Sequence, residues 1–292
     1  MIIAPIYLPF PLGIILSFIW GAIWGSFANV VILRLPLGKS IIWPGSHCFS
    51  CGHKLGVLDN IPIFSYIFLK AKCRYCGAGF SARYPLTESL LGILTLFLYL
   101  NSGLRSHPLI SHAYLVFLTD FIFLFFLFVL SFIDWETFIL PNKLVYPFII
   151  FTILTPPLVK NTSWSKPLVG FLLGSGIIFL VSISYKIIRK REGLGLGDAK
   201  LLGALVAFSG PLSLPFIIFA ASTQGIIFAL FAYIFKLNWP NPKPYKSIST
   251  NEDFAEIMAG SEKGWQLKPL PFGPFLSLAA FEYLLLGSNF IK

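Results

Sequence analysis

The sequence predicts an all-α polytopic membrane protein of about eight transmembrane helices, carrying a small cytoplasmic zinc-binding loop domain. Three observations lead there. The 292 residues are 56% apolar and only 12% charged, with 31 phenylalanines, whereas soluble domains average about a quarter charged residues. Apolar runs of spanning length recur along the chain. The basic residues fall in alternate loops.

Crossing about 30 Å of hydrocarbon takes roughly 20 apolar residues. The expected spans are Leu12–Leu33, Leu86–Tyr99, Ala113–Ile133, Leu144–Val159, Pro167–Ile188, Leu201–Ser209 with its flanks, Ser213–Leu237 and Phe272–Ile291. The second and sixth are short. A re-entrant segment rivals a full crossing for the sixth, because irregular or short segments are tolerated where protein covers them. The first run has no basic flank before it and contains Trp20 and Trp24. It reads as a retained span rather than a cleaved signal.

Net charge is +10, and 18 of the 22 Lys/Arg lie in four loops. Those loops are 34–83, 186–200, 236–268 and the one holding Lys143. The intervening loops carry only Arg105, Lys160, Lys166 and Lys292. Basic loops stay cytoplasmic, so both termini are expected outside and every basic loop inside. Basic residues spread over four loops argue for topology and against a nucleic-acid partner. The expected division is a first transmembrane helix at 1–33, a cytoplasmic four-cysteine domain at 34–85, and a transmembrane core at 86–292 with a cytoplasmic loop at 237–271. That loop opens with Pro240, Pro242 and Pro244 and then has a stretch of helical character, Glu252–Met258.

All four cysteines lie in 34–83, as Cys48-Phe-Ser-Cys51, 21 intervening residues, then Cys73-Arg-Tyr-Cys76. Paired C-x-x-C knuckles suit a tetrahedral thiolate site of the kind zinc prefers. Gly52 and Gly77 follow the knuckles and let the backbone turn. Two disulfides are the competing reading, but thiols in a cytoplasmic loop stay reduced. Four thiolates would close the coordination shell, so the metal is structural. His47 and His53 flank the cysteines and read as surface residues.

Acids at a membrane edge are costly and become functional candidates. Asp134 ends the third span, and Pro141 and Asn142 are expected to stop the helix that follows. Asp198 opens the sixth span after Gly193, Gly195 and Gly197, whose spacing allows either an extended segment or close approach of another chain. The two aspartates are 64 residues apart in sequence yet fall at one predicted depth. Two carboxylates that meet can share one proton, one activating water and the other polarising a carbonyl. Separate helix-end aspartates are the plainer reading. Asp120, about 21 Å deeper than Asp134 at 1.5 Å per residue, reads as structural, as do Glu88 and Glu282; Glu136 reads as solvated.

Several motifs together resemble the bacterial type IV prepilin peptidases, the leader peptidase and N-methyltransferase family of GxGD-type membrane aspartic peptidases. They are Gly25-Ser-Phe-Ala-Asn-Val-Val-Ile-Leu-Arg-Leu-Pro36, the cysteine loop with Asp59-Asn-Ile-Pro62, Arg83-Tyr-Pro-Leu-Thr-Glu88, Asp134 with Leu140-Pro-Asn142, Gly195-Leu-Gly-Asp198-Ala-Lys-Leu-Leu, and Pro271-Phe-Gly-Pro-Phe275. Their order covers nearly the whole chain, and Ala28 stands where leucine is common. The resemblance implies cleavage of the basic leader of prepilins or pseudopilins at the cytoplasmic face of the bacterial inner membrane, with Asp134 and Asp198 catalytic. It further implies S-adenosylmethionine-dependent methylation of the new N-terminus. No motif locates the methyl-donor site; Gly25, Asn29, Arg83 and Glu88 are candidates for that region, with helix-to-helix polar contacts as their other reading. A transporter using Asp120 and Glu282, or a non-enzymatic assembly scaffold, are the alternatives from other classes.

Overall fold

The computed structural model describes residues 10–102, 104, 110–189, 195–236 and 270–290. The helical stretch expected at Glu252–Met258, most of the 237–271 loop, and Gly193 lie outside them. Among the described residues there are only helices, turns and two isolated bridges. The helices are α1 (Phe10–Arg34), α2 (Phe64–Phe68), α3 (Arg83–Asn101), α4 (Ile110–Thr137), α5 (Asn142–Val159), α6 (Ser165–Arg189), α7 (Leu196–Ser209), α8 (Leu214–Ile234) and α9 (Gly273–Phe290). Each of the eight apolar runs falls on a helix. Five of these helices, α1, α4, α5, α6 and α8, are long and apolar enough to cross a membrane.

The chain divides into two compact units, Met1–Phe125 and Phe126–Lys292. In the first, α1 packs against α3 through small residues. A Cβ on Gly21 would stand 2.7 Å from the Leu91 carbonyl oxygen, and one on Gly25 would stand 2.7 Å from the Glu88 Cα. With hydrocarbon outside, apolar side chains gain little by pairing, so close backbone approach through glycine is what holds such helices. Trp24 adds edge-on contacts to Phe121 and Phe125, with centroids 5.9 and 5.2 Å apart.

In the second unit, α7 is the interior helix. Leu201 through Phe208 are all buried, as expected of a helix that is apolar all round. Gly170 and Gly174 of α6 let it approach closely: Cβ atoms there would stand 2.6 Å from the Val206 oxygen and 2.8 Å from the Leu202 oxygen. α6 and α8 instead expose Leu172, Phe219, Ile226 and Ile227, side chains that lipid would cover. The short sixth run is therefore a helix enclosed by protein for most of its length.

Pro141 plays a different part from the one expected. α4 ends at Thr137, and Phe138 follows in the left-handed region at φ 56°. Pro141, at φ −67° and ψ 124°, is the cap residue from which α5 begins. A fixed φ and a missing N–H cost nothing at a helix start.

Candidate functional site

The two C-x-x-C knuckles fold alike. In each, the glycine after the second cysteine takes positive φ, 70° at Gly52 and 73° at Gly77. Its N–H donates to the first cysteine's carbonyl, at 2.9 Å in Cys48 and 3.0 Å in Cys73. Single bridges, His47 with Lys54 and Lys72 with Gly79, close each knuckle at the same register. The result brings the Sγ atoms of Cys48, Cys51, Cys73 and Cys76 within 4.8 Å of one another. Cys48 and Cys76 are 3.8 Å apart, which matches the roughly 3.8 Å edge of a tetrahedron with 2.3 Å Zn–S bonds.

The backbone N–H groups of Cys51 and Ser50 pull the Cys48 thiol down to about 6. At Cys76 the Ala78 N–H acts in the same direction, yet desolvation and the Cys51, Cys73 and Cys48 thiols push it up to about 12. A divalent cation removes that conflict by neutralising all four sulfurs together, so the donor set fits a closed tetrahedral metal. The His47 ring Nδ1 pairs with the Gly45 carbonyl at 3.0 Å and the His53 ring lies 3.5 Å from that of Tyr75. Asp59, in the loop between the knuckles, accepts from the Gly56 N–H at 3.1 Å and from Arg74 Nε at 2.8 Å. That bond ties the connecting loop to the second knuckle.

The candidate methyl-donor residues lie where α1 meets α3. Asn29 Nδ2 donates to Thr87 Oγ1 at 2.5 Å, and the Glu88 carboxylate accepts from the Ile63 N–H at 2.7 Å. Asn29 and Glu88 are both buried. Gly25 touches the Glu88 backbone, and Arg83 opens α3.

In the second unit, three separated segments converge on Asp134. Its side chain is buried, and Oδ2 accepts from the Gly273 N–H at 3.0 Å. Gly273 is the first residue of α9, so Asp134 satisfies a helix N–H that has no partner within its own helix. The Leu140-Pro-Asn142 turn meets the start of α7: a Cβ on Gly197 would stand 3.3 Å from the Leu140 side chain. Lys200 Nζ donates to Asn142 Oδ1 at 2.9 Å and to the Tyr146 hydroxyl at 3.3 Å. Asp198 sits in the first turn of α7, after Gly195 in an extended conformation. It lies within electrostatic reach of Asp134. The extended reading of the glycine segment thus applies to Gly195 alone among the described residues; from Leu196 the backbone is helical.

Asp120 and Glu136 are half-buried and partnered, and Glu282 accepts from Gln224 Nε2 at 2.8 Å. Gly273 and Lys200 stood in quoted motifs, but the sequence assigned neither a contact, since their partners are far away along the chain.

An all-helical chain with apolar spans, a four-cysteine cluster and a buried aspartate with a second, half-buried one in electrostatic reach suits one class, the integral-membrane enzymes. Residues 19–102 match the bacterial peptidase A24 N-terminal domain, and residues 121–230 match the type IV leader peptidase family. A prepilin leader peptidase/N-methyltransferase of Dichelobacter nodosus is 31% identical, over 96% of this chain and 93% of that protein. Proteins of the same name from Myxococcus xanthus and Pectobacterium carotovorum are each 30% identical, over 95% and 92% of this chain and 91% and 92% of theirs. No solved structure matches the chain. The chain belongs to the type IV leader peptidase family.

Proposed function

We propose that this chain is a bifunctional enzyme that removes the basic leader of prepilins or pseudopilins and then methylates the new N-terminus. The observation that carries the peptidase half is the junction around Asp134. The turn after it is joined to the start of α7 by Leu140 on Gly197 and Asn142 on Lys200, and the Gly273 N–H holds one of its oxygens. Such fixation is what a reacting carboxylate needs, because catalysis depends on position.

In this reading Asp134 and Asp198 hold one proton between them. The ionised carboxylate takes a proton from water as the water oxygen attacks the scissile carbonyl. The protonated one hydrogen-bonds that carbonyl oxygen as charge develops, and a carboxyl then gives a proton to the leaving amine. The pair ends the cycle with the proton count it began with. The basic loops support a position for this pair at the cytoplasmic face of the bacterial inner membrane, in a division with 34–85 as the cysteine domain and 86–292 as the transmembrane core.

The cysteine domain holds structural zinc through Cys48, Cys51, Cys73 and Cys76. S-adenosylmethionine supplies the methyl group, and the relatives' shared name, prepilin leader peptidase/N-methyltransferase, supports that second activity.

Cleavage of a prepilin by the purified protein, compared with Asp134→Asn and Asp198→Asn, tests the dyad. Each substitution abolishes cleavage while the protein stays folded. Cleavage at the normal rate by either variant removes the dyad, and loss of function on Asp120→Asn alone would instead favour the transporter.

A further inference from the structure

Among the exposed apolar side chains of the cysteine module, two groups are tied to the end of a helix. At the end of α1, the Arg34 guanidinium donates to the Pro44 carbonyl at 2.6 Å and to those of Ser40 and Gly45 at 3.3 Å. This clamp folds the following loop back on the helix terminus and leaves Ile42 85% and Trp43 74% exposed. α1 is long and apolar enough to span a membrane, with Arg34 its last residue. Ile42 and Trp43 therefore stand where α1 leaves the hydrocarbon.

The second patch is tied in the same way. The Ile63 N–H on Glu88 pins the start of α2 to an early turn of α3. α2 then presents Phe64, Ile67 and Phe68, between 60% and 78% exposed. Glu88 and Thr87 pack on Gly25 and Asn29 of α1, within about three turns of Arg34. Both patches are thus held near the same end of the α1–α3 pair.

Charge identifies what covers them. Residues 34–83 hold seven Lys/Arg and one acid, Asp59. That acid is engaged by Arg74 at 2.8 Å, and Lys39, Lys70 and Lys72 are exposed. A basic peptide is repelled by such a surface, whereas anionic phospholipid is attracted to it. Aromatic and aliphatic side chains interleaved with lysines at a helix exit are the chemistry of the membrane interface. We propose that the cysteine module lies on the bilayer, with Ile42–Trp43 and Phe64, Ile67 and Phe68 inserted among the headgroups of the leaflet where α1 ends. Lys39, Lys70 and Lys72 rest on anionic phosphates. This docking is independent of the peptidase reading.

The test uses the full chain, one copy per nanodisc, with a phospholipid bearing a photoactivatable diazirine at the top of its acyl chain. Adducts are mapped by mass spectrometry in phosphatidylglycerol-containing and in pure phosphatidylcholine discs. The expected result is adducts on 40–44 and on 64–68 that fall about threefold or more in phosphatidylcholine, or in about 0.5 M salt. Adducts confined to the spanning helices overturn the proposal and leave a protein, a second copy or the substrate, as the cover. Equal labelling in the two lipids also overturns it, by removing the anionic partner.

Discussion

Replacing Gly273 with alanine tests whether the position of Asp134 matters. The new Cβ would stand 2.6 Å from Asp134 Oδ2 and 3.2 Å from its Cγ. Ordinary contact begins near 3.4 Å, so the carboxylate or the start of α9 must retreat by about 0.8 Å. Gly273 does not occupy the left-handed region, so alanine meets no backbone penalty there and the effect is steric. A misplacement of about 1 Å costs on the order of a hundredfold in rate, equivalent to about 2.7 kcal/mol of activation free energy. The assay is kcat for prepilin cleavage in detergent, with a melting curve to confirm folding. Gly225→Ala is the control, since its Cβ would meet Leu270 at 3.7 Å and Phe275 at 3.8 Å, in ordinary contact. Gly273→Ala is expected to lose kcat by about that factor while KM stays near wild type, and Gly225→Ala to change neither. A folded Gly273→Ala protein with unchanged kcat would refute the claim that Asp134 is held at a reacting position.

Lys200→Ala removes the bonds to Asn142 and Tyr146; cleavage is expected to fall several-fold, in line with about 1 kcal/mol for a partly exposed hydrogen bond. Asn142→Ala in the same background should add little, and full additivity in the double-mutant cycle would show that the two side chains act separately. Cys73→Ser is expected to lose the bound metal and speed tryptic cutting between Lys39 and Lys72, read by metal analysis and limited proteolysis; equal metal content in variant and wild type would exclude a four-thiolate site. Gly174→Leu, whose Cβ would stand 2.8 Å from the Leu202 oxygen, should lower thermal stability by about 1–3 kcal/mol. Gly176→Leu, with nothing within 4 Å of its Cβ, should change it by less than about 0.5 kcal/mol.

The helices were legible because apolar length is a property of one segment, and each of the eight runs lies on a helix. Their surroundings were not. Leu201–Phe208 is as apolar as the exposed face of α6, so composition does not separate a helix enclosed by protein from one bathed in lipid. The cysteine cluster was also legible, since each knuckle closes through bonds within six residues, as between Cys48 and His53 or Cys73 and Ala78. The Asp59–Arg74 pair that ties the intervening loop to the second knuckle carried no such local signal. Contacts around the aspartates were less legible still. Asp134 meets Gly273 across 139 positions, and Lys200 meets Asn142 across 58, separations that no local spacing rule reaches.

The glycines near the aspartates show which of two readings of one residue type the packing favours. The sequence left an extended segment and close approach of another chain both open before Asp198, and neither Gly197 nor Gly273 adopts a conformation that L side chains avoid. Gly197 begins a helix and Gly273 begins another. What both positions require is room: Leu140 occupies the volume beside Gly197 and the Asp134 carboxylate that beside Gly273. A flexible segment would predict that alanine at either site stiffens the backbone and leaves the aspartates in place. Close approach predicts the opposite, a displaced Leu140 turn in one case and a displaced carboxylate in the other. Gly197→Ala, at 3.3 Å from Leu140, needs only a few tenths of an ångström of adjustment from a side chain, so its effect on cleavage should be smaller than that of Gly273→Ala. If the order were reversed, room at the carboxylate would not be what glycine supplies.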